Sequence, residues 1–97
     1  MALKDVYRFP SNLRARKTTA REQADYIIDE AYEAYDALFF NEGDDRIIEE
    51  TWDVIQAAEG LLRKFPLWKV IVGLARVKIK SLKRGDYEVS AHGNARD

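Results

Sequence analysis

The sequence predicts an all-α protein: a helical hairpin followed by a third helix, which completes a four-helix-type bundle by oligomerisation. Three observations lead there. Apolar side chains recur at helical spacing in three successive segments, about 20–40, 45–64 and 66–85. Helix punctuation separates them, Asn41-Glu42-Gly43-Asp44 after the first and Pro66 after the second. A chain of 97 residues holds one small domain whose core is marginal, so a second copy is a natural way to complete it.

Residues 1–17 form an N-terminal arm without a sustained period. Phe9-Pro10-Ser11-Asn12 reads as a turn and Arg14-Ala15-Arg16-Lys17 as a basic stretch. Thr18 or Thr19 caps the first helix, with Glu22 as the reciprocal acid of a Thr19 capping box. Its inward stripe is Ala24, Ile27, Ala31, Ala34 and Leu38, broadened by Ile28 and Tyr35. Gly43 supplies the permissive backbone of the connection, and Asp44 the cap of the second helix. That helix runs from Asp45 to about Lys64, with Ile47, Thr51, Val54, Ala58, Leu61 and Phe65 inward and Ile48, Ile55 and Leu62 widening the stripe.

Pro66 suits the first position of the third helix, where its missing N–H costs nothing. That helix extends to about Gly85, with Leu67, Val70, Ile71, Leu74 and Leu82 inward and Lys69, Arg76, Lys80 and Lys83 opposite. The helical domain therefore covers 18–85. Residues 86–97 are polar and short of apolar side chains, and read as a mobile tail.

The formal charge of −1 conceals strong segregation. Residues 1–21 carry six bases and one acid, 22–62 thirteen acids and one base (Arg46), and 63–97 nine bases and three acids. An acidic centre repels itself unless basic arms or bound cations offset the charge. It would also repel a nucleic-acid backbone, so nucleic acid is not an expected partner. There is no cysteine for a disulfide or thiolate site. The N-terminus lacks a signal-peptide pattern and no segment is apolar enough to span a membrane, which points to a cytoplasmic protein without a membrane partner.

One seven-residue pattern occurs twice, 20 residues apart: Ile27-Ile28-Asp29-Glu30-Ala31-Tyr32-Glu33 and Ile47-Ile48-Glu49-Glu50-Thr51-Trp52-Asp53. In each copy two acids stand three residues apart, Glu30 with Glu33 and Glu50 with Asp53. At roughly 100° per residue, each pair lies about 60° and 120° to the same side of Ile27 or Ile47, bordering the apolar stripe. Asp25, Asp29 and Asp36 fall on the other, solvated side. Half-burying four carboxylates requires a counter-charge, and the hairpin holds almost no bases. Magnesium fits, because it takes carboxylate oxygens, keeps some water and bridges to phosphates. A di-iron site would need Glu-x-x-His pairs, and the single histidine, His92, lies in the tail. Zinc would want His or Cys, and no P-loop, Gly-x-Gly-x-x-Gly or Ser-His-Asp pattern is present.

Glu-x-x-Glu, a sixteen-residue spacer and Glu-x-x-Asp on consecutive helices resemble the MazG-like, all-α nucleoside triphosphate pyrophosphatases. Glu49-Glu50-Thr51-Trp52-Asp53 looks like that family's Glu-Glu-x-x-Asp stretch. Lys80-Ser81-Leu82-Lys83-Arg84-Gly85 resembles its Lys-Asn-x-x-Arg-Gly element, with Ser81 where asparagine is common and Trp52 where a small residue is often seen. The resemblance implies magnesium-dependent hydrolysis of a nucleoside triphosphate between the α- and β-phosphates, giving a monophosphate and pyrophosphate. Manganese is the expected substitute metal. Glu30, Glu33, Glu50 and Asp53 would hold the metal, Glu33 or Glu49 would act as general base, and Lys80 and Arg84 would bind the polyphosphate. A homodimer or homotetramer is implied as well. The competing reading is a non-enzymatic helical interaction protein whose acidic hairpin binds a basic partner.

Overall fold

A computed structural model describes residues 6–88. Among these there are four helices and no strand: α1 (Leu13–Lys17), α2 (Ala20–Phe39), α3 (Asp44–Leu62) and α4 (Leu67–Lys83). The all-α expectation holds. The helix α1 was not expected, since five residues are too few to show a period. The N-terminal residues 1–5 and most of the expected tail, 89–97 with His92, lie outside the described residues. The chain divides into two compact units, Met1–Phe65 and Pro66–Asp97.

Thr19 caps α2 as its sequence predicts: its hydroxyl accepts from the Glu22 N–H, and the Glu22 carboxylate accepts from the Thr19 N–H at 2.9 Å. These bonds hold the Glu22 carboxyl below its ordinary pKa. At the far end Asn41 takes the left-handed turn that closes α2, at φ 50°, and Gly43 supplies the permissive backbone expected of it. The Asn41 and Glu42 amides donate to the Leu38 and Ala37 carbonyls, a Schellman closure. Gly43, at φ 100°, is the N-cap of α3, and Asp44 is its first residue rather than its cap. With no side-chain cap there, Asp44 and Asp45 contribute through the positive end of the helix dipole.

The antiparallel α2–α3 hairpin is the framework of the first unit. Its seam differs from the expected stripe by about one residue. Gln23, Glu30 and Ala37 are buried on α2, and Glu50, Ala57, Glu59 and Gly60 on α3, while Ile27, Ala34, Val54 and Leu61 are half-buried. Ala31, Leu38, Thr51 and Phe65, expected inward, are exposed. The reason is the small residues in the seam, Ala37, Ala57 and Gly60, which let the helices and the arm approach closely. Gln23, 1 % exposed, uses that closeness to donate from Nε2 to the Ala57 carbonyl at 2.9 Å and accept from the Thr18 hydroxyl at 2.9 Å. A Cβ at Gly60 would stand 2.7 Å from Gln23 Nε2 and 2.8 Å from Ala15 Cβ, so glycine is required there by contact, not by conformation.

The basic N-terminal arm is a strap over the C-terminal half of α3. Glu59, 8 % exposed, accepts from the Arg8 and Phe9 amides at 3.0–3.1 Å. Arg63 donates to the Phe9 carbonyl at 2.9 Å and lies over the buried Tyr7 ring at 4.2 Å. Lys64 donates to the Ala15 carbonyl at 2.6 Å and to that of Thr18, at the C-terminus of α1. Asn12 caps α1, accepting from the Arg14 and Ala15 amides. These bonds explain why bases follow α3: each donates to main-chain carbonyls of the strap.

In the second unit Pro66 stands at the N-cap, one position before the helix start expected for it. Gly85, at φ 76°, ends α4 by a second Schellman closure, in which the Gly85 and Asp86 amides donate to the Leu82 and Ser81 carbonyls. Val70 is buried and Leu67 and Ile71 are half-buried, as expected, whereas Leu74 and Leu82 are exposed.

Candidate metal centre

The hairpin register sets Gln23 against Ala57 and brings the two repeat copies together at Glu30 and Glu50. Oxygens of Glu30, Glu50 and Asp53 lie within 4.8 Å of one another. Glu30 is 8 % exposed and Glu50 2 %, so both stand in the helix–helix seam rather than at its border. Asp53 and Glu33 are exposed. Glu33 interacts with the Glu50 carboxyl but is not one of the three clustered acids. Glu49 is exposed and outside the cluster. Lys80 and Arg84 belong to the second unit, both exposed, and Arg84 Nε lies 3.7 Å from Asp86.

Glu50 is the most constrained of these groups. Its Oε1 receives Arg46 Nη2 at 2.7 Å, an i,i+4 pair on α3. Its Oε2 is buried and has no hydrogen-bond partner. A buried carboxylate oxygen without a donor is costly, and native interiors rarely contain one without a ligand, ion or water to explain it. Burial pushes the Glu50 carboxyl above its ordinary pKa; Arg46 opposes the shift, while Glu33 and Asp53 add to it.

The sign of this shift gives a testable pH dependence. The carboxyl ionises later in the folded chain than in the unfolded one. The penalty is therefore absent below the ordinary value of 4.5 and grows as pH rises from there through the raised folded value. The metal-free protein is expected to lose stability from this group on going from about pH 4 to about pH 7, and a magnesium-induced rise in melting temperature is expected to be larger at the higher pH. Thermal melts with and without magnesium at both pH values check this.

Two residues beside the cluster, Tyr26 and Arg14, were not expected at a metal site. Tyr26, one turn before Glu30, has its hydroxyl pKa raised, by burial first and then by the Glu30 carboxylate, with Arg14 opposing. The Arg14 guanidinium lies 4.0 Å from the Tyr26 ring centroid. A cavity of about 20 Å³ lined by Asn12, Gln23, Tyr26, Asp53 and Gln56 joins Tyr26 to the cluster. That is polar space for about one water. The i,i+4 spacing of Arg46 and Glu50 was legible, but the placement of Arg14 depends on the strap.

The carboxylate set suits a hard divalent cation. It offers only oxygens, two of its members are buried, and one oxygen lacks any other partner. No family model, curated protein or solved structure matches this chain. No helix among the described residues is long and apolar enough to cross a membrane.

Proposed function

We propose that the chain is a magnesium-dependent nucleoside triphosphate pyrophosphohydrolase, in which water cleaves the bond between the α- and β-phosphates to give a nucleoside monophosphate and pyrophosphate. The observation that carries the metal site is the buried, unpartnered Oε2 of Glu50, whose carboxylate clusters with those of Glu30 and Asp53. The choice of reaction rests on the MazG-like pattern of acids together with the Lys80–Gly85 element.

Glu30, Glu50 and Asp53 hold the cation, and Glu33, beside Glu50, completes the set or accepts a proton from the attacking water. Glu33 is better placed than Glu49 for that proton, because Glu49 lies outside the cluster. Magnesium supplies Lewis-acid polarisation of the phosphoryl oxygens. Arg46 keeps Glu50 Oε1 occupied, so that Oε2 is the oxygen left for a cation. Lys80 and Arg84 are proposed to bind the polyphosphate.

Assembly into a homodimer or homotetramer is part of the same proposal. Ile28, Tyr32 and Tyr35 on α2 and Ile48, Trp52 and Ile55 on α3 are exposed at positions 20 residues apart, the offset of the repeat. Burying these two apolar rows against a second hairpin gives the four-helix-type bundle.

The test is pyrophosphate release from a panel of ribo- and deoxyribonucleoside triphosphates with magnesium, then with manganese. Release with at least one triphosphate supports the enzyme. Silence across the panel, with no magnesium-induced rise in melting temperature, favours the acidic hairpin as a docking surface for a basic partner.

A further inference from the structure

The polyphosphate-binding bases singled out in the sequence lie in the second unit, yet the first unit brings a base of its own to the acidic cluster. We propose that Arg14 is an anion-binding residue of this site, taking a phosphate oxygen of the pyrophosphate or triphosphate whose cation the carboxylates hold. The inference rests on the metal reading above.

Four observations converge on it. The strap is fastened to α3 and the residues after it by Glu59, Arg63 and Lys64, which fixes α1 and makes the position of Arg14 a consequence of these partly buried bonds. The guanidinium rests at 4.0 Å from the Tyr26 ring centroid, a contact that orients it beside the Tyr26 hydroxyl. Tyr26 and Asp53 line the same small cavity, and Asp53 shares the 4.8 Å cluster with Glu30 and Glu50. Among the described residues, no carboxylate lies within ion-pair distance of Arg14, whereas Arg46 is held between Glu42 and Glu50.

The chemistry requires such a group. A cation held by three or four carboxylates has its charge cancelled by the protein, so the remaining negative charge of a polyphosphate faces acids. A guanidinium at the rim offsets that repulsion and meets two phosphate oxygens with a planar pair of donors. Tyr26 interacts with both Glu30 and Arg14, so one side chain stands between the base and that carboxylate. Arg14 is exposed, so its substitution removes little packing.

The experiment is calorimetric titration of magnesium alone, and then of pyrophosphate in saturating magnesium, into the unsubstituted chain, Arg14→Gln and Arg14→Lys. Arg14→Gln is expected to bind magnesium as the unsubstituted chain does, within about twofold, and pyrophosphate at least about tenfold more weakly. Arg14→Lys is expected to fall between, keeping the charge and losing the paired donors. Unchanged pyrophosphate affinity in Arg14→Gln with magnesium binding intact overturns the inference and leaves the metal reading standing. Loss of magnesium and pyrophosphate binding together shows that Arg14 acts by holding Tyr26 and Glu30 in place, and also overturns it. Absence of magnesium binding by the unsubstituted chain overturns the metal reading, and this inference with it.

Discussion

Glu50→Gln is expected to abolish magnesium-dependent pyrophosphate release, by at least about 100-fold, while raising the melting temperature of the metal-free protein. The first effect follows from removing a ligand whose cation contributes several kcal/mol to transition-state charge stabilisation. The second follows from the metal-free geometry. Glu50 is buried, one of its oxygens has no donor, and Glu33 and Asp53 repel its charge. An amide keeps the shape and removes both the charge and its repulsion. The Arg46 ion pair becomes a weaker hydrogen bond to the amide oxygen, but its guanidinium is half exposed and has Glu42 at 3.9 Å, so little is lost there. Opposite signs on activity and stability separate a ligand from a structural residue. Unchanged turnover, or a metal-free protein that melts lower than the unsubstituted one, would contradict the site. The same substitution should also flatten the pH dependence of stability above about pH 4.5.

Glu59→Ala is expected to do the reverse: a large loss of stability. Glu59 is also a buried acid on α3, but its carboxylate accepts from the Arg8 and Phe9 amides, and it thereby seats Tyr7 under Arg63. Charge-assisted bonds of this kind are each worth about 1.5–3 kcal/mol, and truncation leaves two strap amides without their acceptor. A loss of about 3 kcal/mol lowers the melting temperature by roughly 12–24 °C in a chain of this size. Calorimetry measures the shift, and limited trypsin digestion at Arg8, Arg14 and Arg16 reports whether the strap has come loose. Glu59→Gln, which keeps one acceptor oxygen, is expected to lose about half as much. A melting temperature within about 2 °C of the unsubstituted protein in Glu59→Ala would show that the strap contributes little.

The two acids show where sequence reasoning reaches and where it stops. Glu50 stands out because a pattern of seven residues repeats, and a repeated acid next to an apolar stripe asks for a counter-charge. Glu59 has no such partner in sequence. Its acceptors' donors lie 50 residues away in an arm with no periodicity, and backbone amides leave no trace in residue types. The boundaries of α2 and α3 were legible within one or two residues, because Thr19 with Glu22, and Asn41 to Asp44, are local signals whose energies are set by neighbours in the chain. The seam was displaced by about a residue because helical angle alone does not say how closely two helices approach. Gly60 and Ala57 admit the strap and Gln23, and that contact turns Glu30 and Glu50 from the border into the interior.

The sequence by itself therefore determined the helical class, the hairpin, its caps and the repeated acids. All of these depend on spacings of a few residues, where the geometry of one helix decides. Only the tertiary structure decided which acids share a site, that one oxygen of Glu50 is buried without a partner, and that Arg14 is carried to Tyr26 beside them. Those facts depend on the distance between segments far apart in the chain. That distance is set by close packing at Ala57 and Gly60 and by the strap's bonds to Glu59, Arg63 and Lys64.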